Sequence, residues 1–218
     1  MIDAVIFDFD GLLMDTETTL LRSWQHEWQQ WGLELDVGTF FADHGGDVNA
    51  ERTARLAAAV GAAFDPELSD RRRREFRAEL HRTLELREGI AGWVSEATDL
   101  PVRLAVASSS PVAWLEHNLG RVGVRSSFEV LAGGDEVTRH KPSPDVYELA
   151  LERLGLPADR AVAVEDTPHG VDAAHAAGLR CVAIPNPHVD LTRVQHADLV
   201  LGAATDASLA DVLARLRS

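Results

Sequence analysis

Short apolar runs recur along this chain and stop abruptly at polar residues. Ala4-Val-Ile-Phe7 ends at Asp8, and comparable runs follow at Val102 to Ala107, Phe128 to Ala132, Ala161 to Val164, Arg180 to Ile184 and Asp198 to Leu201. A strand without polar alternation is one buried on both faces, which a parallel sheet covered by helices provides. Segments of helical periodicity separate most of these runs. The alternation predicts an α/β fold, a doubly wound, Rossmann-like parallel sheet.

One interval breaks the pattern. Residues 15–86 hold no buried strand and several amphipathic stretches, so they read as an inserted helical domain, with 1–14 and 87–218 forming the α/β core. Helices are expected over Glu17 to Trp31, Val48 to Val60 and Pro66 to Leu86, the last opened by an Asp65-Pro66 start signal. Trp24, Trp28 and Trp31 fall on one helical face and read as packing residues. Arg71 to Arg74 lie between Asp70 and Glu75 and are scattered around the helix axis, so they read as a solvated face and not as an anion site.

With 21 Lys and Arg against 35 Asp and Glu, the net charge of −14 repels a phosphate backbone, and nucleic acid is not an expected partner. The single cysteine, Cys181, lies in an apolar run and reads as a small buried hydrophobe. No stretch reaches the roughly 18 apolar residues of a membrane span, and no basic and apolar leader opens the chain. A cytoplasmic protein is expected, with no membrane partner, as a monomer or weak homodimer.

The chemistry concentrates where the apolar runs end. Asp8 and Asp10 stand two apart, on one side of an extended chain, with Gly11 immediately after. Open α/β sheets bind ligands at the carboxyl ends of their strands, and two acids there need a counter-charge. With oxygen ligands and no His or Cys cluster nearby, that counter-charge reads as magnesium and not zinc. Taken alone, the pair is equally consistent with a turn cap. Three further segments follow predicted strands: Ser108-Ser-Ser-Pro111, leading into a helix whose N-terminus suits a phosphate; His140-Lys-Pro-Ser-Pro144, between the third strand and the next helix, which fixes Lys141 in a rigid turn; and Glu165-Asp-Thr-Pro168, a second acidic pair. Together they assemble a nucleophile, a metal site and a phosphate clamp.

In that order, with those strand contexts, the four segments resemble the haloacid dehalogenase superfamily, in its capped phosphatase and β-phosphoglucomutase-like branch, over residues 3 to about 185. The resemblance implies that Asp8 is the nucleophile forming an aspartyl-phosphate and that Asp10 is the acid and base. It implies that Ser108 and the Ser109 amide hold phosphate oxygens, with Gly11 and Thr16 as further substrate contacts, while Lys141 offsets charge. Magnesium is then expected on the Asp8 carboxylate, the Asp10 backbone carbonyl and Asp166, with Glu165 reaching a metal-bound water. His44, beside the flexible Gly45 and Gly46, is a candidate for reaching into the closed site from the cap, with movement about Asp15 and Arg87.

The second aspartate sets the chain apart from true dehalogenases, because a departing halide needs no proton. Phosphomutases of this branch carry a histidine on the first cap helix where Leu20 stands here, and a cap-loop arginine, whereas His44 to Asn49 holds none and the next is Arg52. The expected function is therefore a magnesium-dependent phosphatase of a small phosphorylated metabolite, a sugar phosphate or nucleotide. A phosphomutase is the alternative, and a catalytically idle phospho-ligand-binding relative is the second.

Overall fold

The first apolar run forms β1 (Ala4–Phe7), with every residue buried; the computed structural model describes residues 2–41 and 49–216. The remaining strands are β2 (Arg103–Ala107), β3 (Phe128–Ala132), β4 (Ala161–Glu165), β5 (Arg180–Ala183) and β6 (Leu199–Val200). All pair in parallel, in the order β3-β2-β1-β4-β5-β6. The final strand is shorter than the run Asp198 to Leu201, pairing only Leu199 with Val182 and Val200 with Ala183. The helices are α1 (Thr16–Gln30), α2 (Val37–Phe40), α3 (Asn49–Val60), α4 (Pro66–His81), α5 (Ile90–Glu96), α6 (Val112–Arg121), α7 (Asp145–Leu154), α8 (Pro168–Ala176) and α9 (Leu209–Arg215).

The strand order fixes where a ligand can sit. From β1 the chain steps outward through β2 to β3, then crosses back to the other side of β1 to build β4, β5 and β6. The reversal lies between β1 and β4, and the carboxyl ends of those two strands border the crevice such sheets leave open. Asp8 follows β1, and Glu165 ends β4. Beneath them, small residues such as Ala105, Ala107, Ala163 and Ala183 pack with Val146, Tyr147 and Ala150 of α7. Cys181 is buried in this core, as its apolar neighbours require.

The chain separates into two compact units: residues up to Asp15 together with those from Glu85 onward, and Thr16–Leu84. The second unit is helical. Its apolar cluster joins Leu21 and Trp24 of α1 to Phe40, Phe41 and Leu56, with Trp28 and Trp31 packed at its margin. Expectation and structure differ at α4, which stops at His81 and not at Leu86. Leu86 leaves the helix to make an antiparallel bridge with Met14, a backbone pairing that no helical residue can make.

The arginine run is a second correction. Arg74 is 68% exposed, as a solvated face requires, but Arg73 is buried with its guanidinium 3.8 Å from the centre of the Trp24 ring. Arg72 grips Glu27 with two hydrogen bonds, of 2.9 and 2.6 Å, and the Glu27 side chain is 0% exposed. Consecutive residues do point different ways around a helix, and two of these four point at α1.

Candidate active site

The ladder does not end at Phe7. The Asp8 amide donates to the Val164 carbonyl at 2.9 Å, which carries the Asp8 carboxylate to the crevice as a buried group. The chain then turns tightly: the Gly11 amide donates to the Met14 carbonyl at 2.8 Å and the Met14 amide to the Phe9 carbonyl at 3.1 Å. Gly11 adopts a φ of +86°, open to glycine at no steric cost.

Lys141, from the loop before α7, is the centre of the cluster. Its ammonium donates to Asp8 Oδ1 at 2.5 Å, to Glu165 Oε1 at 2.6 Å and to the Ala107 carbonyl at 2.9 Å. Glu165 Oε1 also accepts the Tyr147 hydroxyl at 2.7 Å, and Oε2 accepts the Asp166 amide at 3.1 Å. Asp166 in turn is oriented by Asn186, whose Nδ2 donates to Oδ2 at 2.7 Å. Arg87 ties the surrounding loops by donating to the carbonyls of Gly11 at 2.6 Å, Ile184 at 3.3 Å and Pro185 at 3.1 Å.

This arrangement has too much negative charge for its burial. Asp8, Glu165 and Asp166 offer carboxylate oxygens within 4.8 Å of one another, and all three are buried. Burial, opposed by Lys141 and reinforced by Glu165 and Asp10, pushes the Asp8 carboxyl up to about 8. Burial also works to lower the Lys141 ammonium, but Asp8 and Glu165 overcome it and hold it above the usual lysine range. One ammonium therefore faces three carboxylates, and a hard divalent cation fits the deficit and the all-oxygen donor set.

Of the residues singled out in the sequence, Asp8, Lys141, Glu165 and Asp166 come together here. The Asp10 carboxylate does not belong to that group: it accepts the Ser110 hydroxyl at 2.6 Å and the Trp114 indole N–H at 3.3 Å. Glu165, expected to reach a metal-bound water, has Oε1 engaged by Lys141 and Tyr147 and so also orients the lysine. Ser108 is buried and its hydroxyl accepts the Ser110 amide at 3.0 Å, while Ser109 is exposed. Gly11 commits its amide to Met14 and its carbonyl to Arg87. Thr16 opens α1 with a buried hydroxyl that has no hydrogen-bond partner among the described residues. His44 and Gly45 lie outside the described residues.

Sequence reasoning missed Ser110, Trp114, Tyr147, Asn186 and Arg87 as members of this network. Asn186 had a usable signal, standing just past the apolar run of β5 as Asp8 stands past β1. Tyr147 and Trp114 had none, because each acts from a helix across the sheet's end.

Comparison with known proteins gives the same direction. The haloacid dehalogenase-like hydrolase profile matches residues 5–184. Over 218 residues the chain is 32% identical to YhcW of Bacillus subtilis (strain 168), covering 100% of this chain and 99% of that protein. Fructose-1-phosphate phosphatase YqaB of Escherichia coli (strain K12) is 31% identical over 189 residues, 83% of this chain and 95% of the relative. Among solved structures, CbbY from Rhodobacter sphaeroides in complex with phosphate superposes with a TM-score of 0.72 at 34% identity, covering 96% of this chain and 98% of that one. A mutant of CbbY holding xylulose-(1,5)bisphosphate gives 0.71 at 32% identity over the same shares, 96% and 98%.

Proposed function

This chain belongs to the haloacid dehalogenase-like hydrolases and is a phosphoric monoester hydrolase, and from that premise we propose that it is a magnesium-dependent phosphatase of small sugar phosphates, acting through an aspartyl-phosphate on Asp8. The observation that carries this reading is the contact of Lys141 with Asp8, beside a buried cluster of three carboxylates. The sugar phosphates named for YqaB and CbbY support the substrate class.

In the first step an Asp8 carboxylate oxygen attacks phosphorus, and the ester oxygen departs with a proton from Asp10. In the second, Asp10 takes a proton from the water that attacks the aspartyl-phosphate, and phosphate is released. Ser108 and the Ser109 amide hold phosphate oxygens, and Lys141 offsets charge on the transferred group. Gly11 is a further substrate contact. Asp8, Asp166 and the Asp10 backbone carbonyl would hold magnesium, with Glu165 beside them, and the ion when bound supplies charge that lets an anionic nucleophile meet an anionic phosphate. The repulsion to be offset is about 4 kcal/mol for unit charges roughly 4 Å apart at an effective dielectric of about 20.

Leu20 packs against the apolar cluster of its unit and offers no proton-transfer group, which favours water over a second sugar hydroxyl as acceptor. The test is a panel of sugar phosphates and nucleotides assayed for free phosphate with magnesium and with EDTA. We expect metal-dependent release from sugar phosphates and loss to background in Asp8→Asn. An active Asp8→Asn enzyme overturns the covalent route, release unaffected by EDTA removes the metal, and glucose 6-phosphate from β-glucose 1-phosphate moves the reading to a mutase.

A further inference from the structure

The Asp10 carboxylate is held at both oxygens by neutral donors from one stretch of chain. Ser110 Oγ donates to Oδ2 at 2.6 Å, and Trp114 Nε1 donates to Oδ1 at 3.3 Å. That stretch, the loop after β2 and the first turn of α6, is fixed by contacts that do not involve Asp10. The Ser110 amide donates to Ser108 Oγ at 3.0 Å, and the Gly134 amide to the Ser110 carbonyl at 2.9 Å. The Val112 amide donates to Asp135 Oδ1 at 2.9 Å. A Cβ at Gly134 would stand 2.1 Å from the Ser109 carbonyl oxygen, so the loop after β3 lies directly against the serine loop. The backbone that carries both donors is therefore held by contacts independent of Asp10.

We propose that Ser110 and Trp114 are positioning residues for proton transfer by Asp10, a role that rests on Asp10 being the acid and base. Asp10 alternates between carboxylic acid and carboxylate during turnover. A serine hydroxyl both donates and accepts, so Ser110 serves either form, whereas an indole N–H only donates. Trp114 therefore keeps Oδ1 as the accepting oxygen and favours Oδ2 as the proton carrier. That proton passes from Oδ2 to the ester oxygen as the P–O bond breaks and the Asp8–phosphorus bond forms. The proton lost by the attacking water returns to Oδ2 as the Asp8–phosphorus bond breaks.

The test uses leaving-group dependence on the intact protein. In kcat/KM, which reports events up to the first phosphoryl transfer, a sugar phosphate needs an acid and p-nitrophenyl phosphate does not, because nitrophenolate is stable as the anion. For Ser110→Ala and Trp114→Phe we expect kcat/KM on the sugar phosphate to fall about 10- to 100-fold and on p-nitrophenyl phosphate to fall less than about threefold. Ser110→Thr, which keeps the hydroxyl, should recover most of the loss. An equal fall on both substrates, or no recovery in Ser110→Thr, overturns the inference and leaves a structural role. Asp10→Asn separates the two levels: if it shows the leaving-group dependence and the other variants do not, only the positioning role fails. If Asp10→Asn shows none, the acid and base reading falls as well.

Discussion

At Gly11 the requirement for glycine has two independent causes. The φ of +86° costs an L side chain about 1–2 kcal/mol, and a Cβ would stand 2.2 Å from Asp166 Oδ2 and 3.3 Å from Asn186 Nδ2. Gly11→Ala must therefore push Asp166 off its hydrogen bond with Asn186 or move the turn that follows Asp10. We expect a stability loss of about 2–4 kcal/mol in chemical denaturation, from backbone strain plus overpacking. The activity should fall about 10²-fold, the usual consequence of displacing a site by an ångström. A Gly11→Ala protein with unchanged turnover would show that Asp166 need not stay where Asn186 holds it.

Between α1 and α4 the stabilising feature is a buried ion pair, and buried pairs are sensitive to losing one partner. Glu27 accepts two hydrogen bonds from Arg72 and a third, of 3.2 Å, from Trp31 Nε1. Arg72→Met leaves that carboxylate with an incomplete shell, and we expect about 3 kcal/mol of destabilisation, the low end for such pairs because Arg72 is 29% exposed. Burial acts to raise the Glu27 carboxyl, but the hydrogen bonds from Arg72 and Trp31 outweigh it and hold it below its ordinary value of 4.5. A carboxylate depressed in the folded state contributes stability above its unfolded pKa and loses it as pH falls through the folded one. Melting of the full chain should therefore weaken below about pH 4.5, followed by tryptophan fluorescence. In Glu27→Gln that part of the acid slope should disappear, and an unchanged slope would place the acid sensitivity elsewhere.

For the whole molecule, the parallel sheet sets where charge gathers, because reversing the winding between β1 and β4 brings two acidic strand ends to one crevice. A folded state that concentrates three carboxylates around one lysine gains stability from any cation that binds it and not the unfolded chain. Magnesium at about 100 times its Kd should add about 2.7 kcal/mol, a Tm rise of roughly 5–10 °C, cancelled by EDTA. Asp166→Asn should remove most of the shift, and a melt indifferent to magnesium would sink the metal in this reading. The sequence by itself determined the strands, the helical interruption and the positions of Asp8, Glu165 and Asp166, because apolar runs report burial and these three residues stand at the ends of such runs, while Lys141 was marked by the proline-rich turn between β3 and α7. Only the tertiary structure decided what those residues touch. Trp114 and Ser110 meet Asp10 across 104 and 100 residues of chain, and Asn186 meets Asp166 across α8 and β5. Arg72 and Arg73 turned inward for the same reason. Periodicity records which side of an element is apolar, whereas pairing between polar side chains depends on which elements the fold brings together.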